Sequence, residues 1–481
     1  MSGRRLSVAA VWVVAALAVG GVSRPAAAAE IDWAAVEREA TEFLSAYIRI
    51  DTTNPPGNET PAARFLAERF RREGIESEVF ESTPGRGAVF AVVRTTPLGR
   101  ATGARPILLL SHIDVVPADP DGWDLPPFSG TERDGYVYGR GALDCKGPGT
   151  VEALATILVR RAGIPLNRDV FFLATPDEEA GGALGAGWSA QHLDKIRDAA
   201  FVLNEGGDIH VLPNGKQVYE VAVSEKTPCW LRLTATGEAG HGSAPPPETA
   251  VTRLVRALDR LREHTPELRV VPEVAAYYAA LSAVQDETRR ARYADLRRAL
   301  EDADFRMDFL GNPHNAALLH NTITPTVLVG SQKTNVIPRS ASADLDCRLL
   351  PGEDPDAFVR NVREVIGDPS VRVDTLLNFP PSSSPTDTPL FAALQTLAGR
   401  EGVPLVPSVL TGFTDSHYFR ERRVPSYGFV PFALTDEEER HEHGVNERMS
   451  TANLRDGTRR LLELLQILDT EDVSNGKQQG H

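Results

Sequence analysis

The chain predicts an α/β protein: a large domain built on a central, mostly parallel sheet, interrupted by a smaller α+β unit. Three observations predict it. Continuous apolar runs at Val89–Val93, Ile107–Leu110, Val170–Ala174 and Phe201–Leu203 have the character of parallel strands buried on both faces. A helical pattern with Val151, Leu154, Ala155 and Leu158 lies between two of these runs, giving α/β order. From about Lys226 the pattern changes to alternation through Trp230–Thr236, as in a half-exposed sheet.

The elements follow in order. Residues 1–29 carry Arg4 and Arg5, an apolar run from Val8 to Val22 and Ala27-Ala28-Ala29, the layout of a cleaved signal peptide. Export to the periplasm or medium is expected, by the general secretory or the twin-arginine route. The apolar run is shorter than the roughly 20 residues of a membrane span, so no membrane association is expected after cleavage. Asp32 then caps a helix with Trp33, Val36, Ala40, Phe43, Leu44 and Tyr47 at helical spacing, and Thr60-Pro61 opens a second helix closing near Gly74. The α+β unit is expected over 226–350, with a helix carrying Val251, Leu254, Val255, Leu258 and Leu261 and strands at Val327–Gly330 and Ala343–Leu349. Within it, about Glu263 to His320 forms a charged, partly helical insertion. The main domain is expected over 30–225 and 351–470, with helical spacing again at Phe358, Val359, Val362 and Ile366 and from Leu390 to Leu397. A polar tail over 471–481 reads as disordered.

Without Arg4, Arg5 and Arg24, the 51 basic residues fall to 48 against 66 acidic ones, a formal charge of −18. Such a surface argues against nucleic acid or anionic membranes as partners. The remaining length of roughly 450 residues favours two domains. Cys145, Cys229 and Cys347 show no metal-ligand spacing and read as small buried residues.

The chemistry-bearing residues sit where strands end. Ser111-His112-Ile113-Asp114 follows Leu110, Thr175-Pro176-Asp177-Glu178-Glu179 follows Ala174, and Asn204-Glu205-Gly206-Gly207 follows Leu203. Open α/β sheets place their sites at these carboxyl ends. His112 and Asp114 point to one side of an extended segment, so one can bind a metal while the other orients it. Asp144 is the central carboxylate of the loop Gly139–Gly147, and adjacent Glu178 and Glu179 can divide the tasks of ligand and general base. Taken singly, each is an ordinary polar residue, helix cap or acidic turn. Together they have the composition of a two-metal hydrolytic site of oxygen and nitrogen ligands. Two further imidazoles, His441 and His443, lie in a polar loop, and His241 lies in Gly240-His241-Gly242-Ser243 within the α+β unit. No Gly-x-Ser-x-Gly elbow occurs, which disfavours a serine hydrolase.

These segments, with Arg49–Glu59, Gly-Arg-Gly-Ala-Leu-Asp-Cys-Lys-Gly, Gly-His-Gly-Ser-Ala-Pro-Pro, Thr334–Pro338 and His443-Gly444-Val445-Asn446-Glu447, resemble a zinc peptidase and amidohydrolase family. It includes carboxypeptidase S, glutamate carboxypeptidase, aminoacylase, acetylornithine deacetylase and succinyl-diaminopimelate desuccinylase. The long insertion is most similar to the carboxypeptidase S branch. The resemblance implies a zinc-peptidase-like catalytic domain and a ferredoxin-like lid that can form a homodimer. It implies two Zn²⁺ per chain, with Co²⁺ or Mn²⁺ as substitutes. His112, Asp144 and Glu205 would hold one ion and Asp144, Glu179 and His443 the other, with Asp144 bridging. By the same resemblance Glu178 is the general base, Asp114 the orienting carboxylate and His241 a lid histidine acting on the scissile carbonyl. Asn335 and Arg348 would be lid residues for the oxyanion or substrate carboxylate, faced by Gly412, Thr414 and Ser416.

The expected reaction is hydrolysis of the amide next to a free carboxylate, by a metal-bridged hydroxide with Glu178 as base. The substrate is then a small peptide, for a carboxypeptidase. The alternative is an N-acyl amino acid, for an aminoacylase-like amidohydrolase, and a more remote one is an exported binding protein without catalysis.

Overall fold

The computed structural model describes residues 30–95 and 103–478; the expected signal peptide lies outside the described residues. Strand Ile107–His112 lies between Val170–Thr175 and Phe201–Asn204, parallel to both, with Ile107 opposite Val170 on one side and Phe201 on the other. Every residue of Ile107–His112 is buried, as the unbroken apolar run requires. Ser426–Gly428 extends this parallel centre beside Phe201–Asn204.

The flanks are mixed. On one side Gly87–Val93 and Glu76–Glu81 complete the sheet; on the other follow Gln217–Glu225, Ile209–Val211 and Ala433–Thr435, with Leu405–Leu410 parallel to Gln217–Glu225. Val89–Val93, expected as a parallel strand, is antiparallel to Val170–Thr175. A fully apolar run reports burial of both faces and carries no information about direction. Helices Trp33–Ile48, Thr60–Arg72, Lys146–Arg161, Pro389–Arg400 and the closing helix Thr451–Gln478 pack in one core with the sheet. Asp32 caps the first of them through Ala34 and Ala35, as its sequence predicts. The closing helix continues to Gln478 where a disordered tail was expected from Glu471, because extending an existing helix adds a bond per residue without a new nucleus.

The small unit has β-α-β-β-α-β order: Thr227–Thr236, Ala250–Glu263, Thr322–Val329, Ser340–Leu349, Pro355–Ile366 and Val371–Asn378. Its antiparallel sheet runs Thr322–Val329, Ser340–Leu349, Thr227–Thr236, Val371–Asn378, the ferredoxin-like arrangement. Both helices cover one face around Leu231, Leu254, Leu345 and Val362. The unit therefore extends to Asn378 rather than ending at 350. Phe358, Val359, Val362 and Ile366 gave a helix by periodicity, but periodicity does not say which sheet it covers.

The insertion forms helices Pro272–Leu281, Glu287–Ala294, Leu296–Ala299, Ala303–Leu310 and Pro313–Leu319. It emerges from the small unit yet packs on the main sheet, with Val274, Tyr278, Leu318 and Leu319 in one cluster with Val218, Val406 and Val409. Lys226 joins the two where they meet, its Nζ donating to the carbonyls of Ala317 and His320 at 2.8 Å each.

Candidate functional site

The carboxyl ends of the central strands deliver the predicted cluster. His112 ends its strand, and its Nδ1–H donates to the Asp114 carbonyl at 2.9 Å, leaving Nε2 facing the cluster. That Nε2 lies 2.6 Å from Asp144 Oδ1 and 3.4 Å from Glu205 Oε2. His443 Nε2 lies 2.8 Å from Asp144 Oδ2 and 3.5 Å from Glu179 Oε1. Asp144 thus stands between two imidazoles, one on each oxygen. His443 reaches it from a left-handed backbone conformation (φ 56°), uncommon for a residue other than glycine.

Asp114 organises the turn that carries the adjacent glutamates. Its Oδ1 accepts the Glu178 N–H at 3.1 Å, and its Oδ2 accepts the Glu179 N–H at 3.2 Å and Asn54 Nδ2 at 2.8 Å. Asp177 enters the turn at φ 80°, and Arg86 ties it to Glu59 with Nη2 contacts of 3.0 and 2.9 Å. Beyond Glu205 the chain passes close to its neighbour: a Cβ on Gly207 would collide with the Glu220 carbonyl, so glycine is needed there.

The charges are those of a cation site. Burial pushes the Glu178, Glu179 and Glu205 carboxyls up, and Glu205 adds to the effect on Glu178. Burial alone would lower His112, but Glu205 and Asp144 overcome it and hold the imidazole well above its ordinary value. His443 is raised to about 11, chiefly by its hydrogen bond to Asp144. Four converging carboxylates with two imidazoles leave negative charge that divalent cations would neutralise, so this donor set fits two metal ions. Cys145 lies within the cluster, but burial pushes its thiol well up and keeps it protonated. All three cysteines are free and buried, as their spacing predicted.

A cavity of about 1470 Å³ opens over this cluster, lined by Asp144, Glu178, Glu179, Glu205 and His443 at one end. Arg348, Gly412 and Thr414 lie on its wall. Arg348 is held by Asp346 through Nε at 2.6 Å and Nη2 at 3.0 Å, and its guanidinium lies 5.0 Å from the Phe413 ring centre. Its Nη1 is buried with no hydrogen-bond partner among the described residues. The Thr414 hydroxyl is already committed to Glu225 at 2.7 Å. Ser416 is buried away from the cavity, where its hydroxyl accepts from Asn204 Nδ2 at 3.2 Å. His241 and Asn335 are not among the cavity-lining residues; His241 is exposed on a two-residue strand paired with Val336 and Ile337.

Two contributors escaped the sequence reading. Glu447 accepts from Arg140 Nη1 at 2.7 Å and from the N–H groups of Gly141, Leu143 and Asp144, holding the loop that presents Asp144. Asn54 steadies Asp114. Both lie in segments that carried the resemblance, yet only their long-range partners reveal what they do. The exposed Glu442 also comes within 4.8 Å of Asp144 and His443.

The model of peptidase family M20/M25/M40 matches residues 108–467. Human N-fatty-acyl-amino acid synthase/hydrolase PM20D1 is 32% identical over 388 residues, covering 78% of this chain and 76% of the relative. Probable carboxypeptidase S-like 2 of Dictyostelium discoideum is 29% identical over 362 residues, covering 73% and 69%. The crystal structure of the M20 family metallo-carboxypeptidase Sso-CP2 from Sulfolobus solfataricus superposes with a TM-score of 0.71 at 19% identity, covering 90% of this chain and 99% of the other. With the sheet, the lid unit and the carboxylate–imidazole cluster already in place, the family match over most of the chain makes this protein an enzyme of the M20/M25/M40 peptidase family.

Proposed function

We propose that this M20 hydrolase cleaves the amide bond joining an acyl group to an amino acid that carries a free carboxylate. One observation carries the reading: Arg348 Nη1 is buried and unpartnered on the wall of the cavity that ends at Asp144, Glu178, Glu179, Glu205 and His443. An anionic oxygen would satisfy it, and a guanidinium steadied by Asp346 and Phe413 is a preorganised carboxylate anchor.

His112, Asp144 and Glu205 would hold one metal ion and Asp144, Glu179 and His443 the second, zinc being the expected element. Bound there, the metals supply Lewis-acid polarisation of the amide carbonyl and acidify water. Glu178 takes a proton from the attacking water and returns it to the departing amine, and Asp114 keeps Glu178 and His112 aligned. Arg348 holds the carboxylate of the leaving amino acid. The products are the free acid of the acyl group and the amino acid.

His241 and Asn335 act in this reading as groups supplied by a second copy, since neither lines the cavity of its own chain. Among the described residues, strand Thr322–Val329 pairs on one side only and exposes Val327, Leu328 and Val329, next to a helix exposing Val251 and Val255. An unpaired apolar edge of this kind suits pairing with its own copy in a homodimer. Export remains part of the proposal on the strength of residues 1–29. Among the described residues no helix is long and apolar enough to cross a membrane.

The test is a matched panel of blocked dipeptides and N-acyl amino acids given to the metal-loaded mature protein, with and without chelator, and scored by amine release. Chelator-sensitive release from peptides alone marks a carboxypeptidase, and release from acyl amino acids alone marks an amidohydrolase. No release from any carboxylate-bearing compound would sink the proposal.

A further inference from the structure

A second cluster of metal-binding side chains lies on the cavity wall, apart from the catalytic ligands. Asp208, His210 and Glu439 bring one donor atom each to within 4.8 Å of one another, the same spread that His112, Asp144 and Glu205 show. All three line the cavity. None of them has a part in the amide hydrolysis proposed above.

The framework around them is fixed. His210 is the middle residue of strand Ile209–Val211, opposite Val218 on one side and Leu434 on the other. The Asp208 carbonyl accepts the Glu220 N–H at 2.8 Å. Glu439 ends the short helix Asp436–Glu439, whose start is closed by reciprocal hydrogen bonds between Thr435 and Glu438.

Two features separate this cluster from a solvated acidic patch. The first is an oriented imidazole: His210 Nε2 lies 3.1 Å from Asp436 Oδ1, so an outer carboxylate holds the Nε2–H and turns Nδ1 toward the cluster, where it lies 2.9 Å from Glu439 Oε1. His112 is held in the same way, with Nδ1 on the Asp114 carbonyl and Nε2 2.6 Å from Asp144. The second is uncompensated charge. Among the described residues no lysine or arginine forms an ion pair with Asp208, Glu220, Asp436 or Glu439, which leaves one imidazole among four carboxylates. Burial, with Glu439 and Glu220 nearby, pushes the Asp208 carboxyl well up, as expected of a carboxylate lacking a cation.

We propose that Asp208, His210 and Glu439 bind a third divalent ion, of the zinc or manganese class that takes imidazole and carboxylate together, and that this ion clamps the segments bearing Glu205 and His443. Asp208 follows Glu205 by three residues, and Glu439 precedes His443 by four. Each segment supplies one ligand to the catalytic pair and one to this site, so an ion joining Asp208 to Glu439 restrains both. Three protein ligands leave the remaining coordination to water from the cavity.

Elemental analysis of the full chain tests the site without any substrate, so its outcome is separate from that of the amide panel. After equilibration with Zn²⁺ and removal of free ion by gel filtration, wild type should carry three ions per chain, and His210→Ala and Asp208→Asn two each. Two or fewer ions in wild type would overturn the proposal. So would three in both variants, which would put the extra ion elsewhere. Where circular dichroism shows that a variant has lost its fold, Glu439→Gln on the short helix takes its place with the same expected count. The clamp is read from the rate at which a chelator strips the last two ions, which should rise about 10- to 100-fold in His210→Ala, the loss typical when support for metal ligands is removed. An unchanged rate would overturn the clamp.

Discussion

Glu447 and Asp144 are joined through the backbone: a Glu447 carboxylate oxygen accepts the Asp144 N–H at 3.2 Å and the Leu143 N–H at 2.7 Å. The other oxygen takes Arg140 at 2.7 Å, so one buried carboxylate fixes the loop from which Asp144 faces both imidazoles.

Removing it should therefore act on stability and metal binding together. Glu447→Ala leaves buried Arg140 unpaired and should cost about 3–5 kcal/mol. Denaturant unfolding and metal content of the purified variant check this. Unchanged stability would show that the loop holds without Glu447.

Glu178 is placed by Asp114 but is not assigned to hold either ion. Glu178→Gln should keep two metals per chain and lower kcat by about 10²–10⁴. Metal analysis beside steady-state kinetics separates the roles, since a loss of metal would mark Glu178 as a ligand.

Arg348→Ala removes the orphaned Nη1. It should reduce kcat/KM for carboxylate-bearing substrates about 10- to 100-fold, the worth of a charged hydrogen bond, mainly through KM. Substrates amidated at that carboxylate should respond far less. An equal loss on both would remove Arg348 from carboxylate recognition.

Lys226 predicts a pH dependence of stability. Burial lowers its pKa from 10.5 to about 7, aided by Arg348. Between those values the unfolded chain binds a proton that the folded chain does not, so this residue's contribution to stability rises as pH rises. The cost of burying the ammonium is full below pH 7 and disappears through this window. Urea midpoints of wild type and Lys226→Met should accordingly diverge in favour of wild type from pH 7 upward. Parallel curves would contradict the shift.

The exposed edge strand predicts the assembly. Leu328→Glu places a charge on the strand that would pair with its copy, and should give a monomer by sedimentation with much reduced activity. Mixing His241→Ala with Glu178→Gln chains should restore part of the activity if the histidine acts across the interface, because mixed dimers pair one intact cluster with one intact His241. No recovery after subunit exchange would place His241 in its own chain's reaction or outside it.

The sequence by itself located the strand ends from which the carboxylate–imidazole cluster is built. Apolar runs ending in His112, Glu178, Glu179 and Glu205 put side chains at the carboxyl ends of adjacent strands, because strand and turn patterns are local. The converging cluster follows from them, with Asp144 and His443 completing it. The ferredoxin-like unit was legible in alternation and helical spacing, but its end at Asn378 was not, since the choice of sheet for Pro355–Ile366 is made by contacts with Leu231 and Leu345 far away in the chain. Only the tertiary structure decided that the insertion leaves the lid and walls the cavity, that Ser416 turns away from it, that His241 and Asn335 do not line it, and that Arg348 keeps one unpartnered nitrogen. Each of these depends on packing or hydrogen bonds between distant segments, and residue periodicity records only which face of an element is apolar, not which surface it will meet.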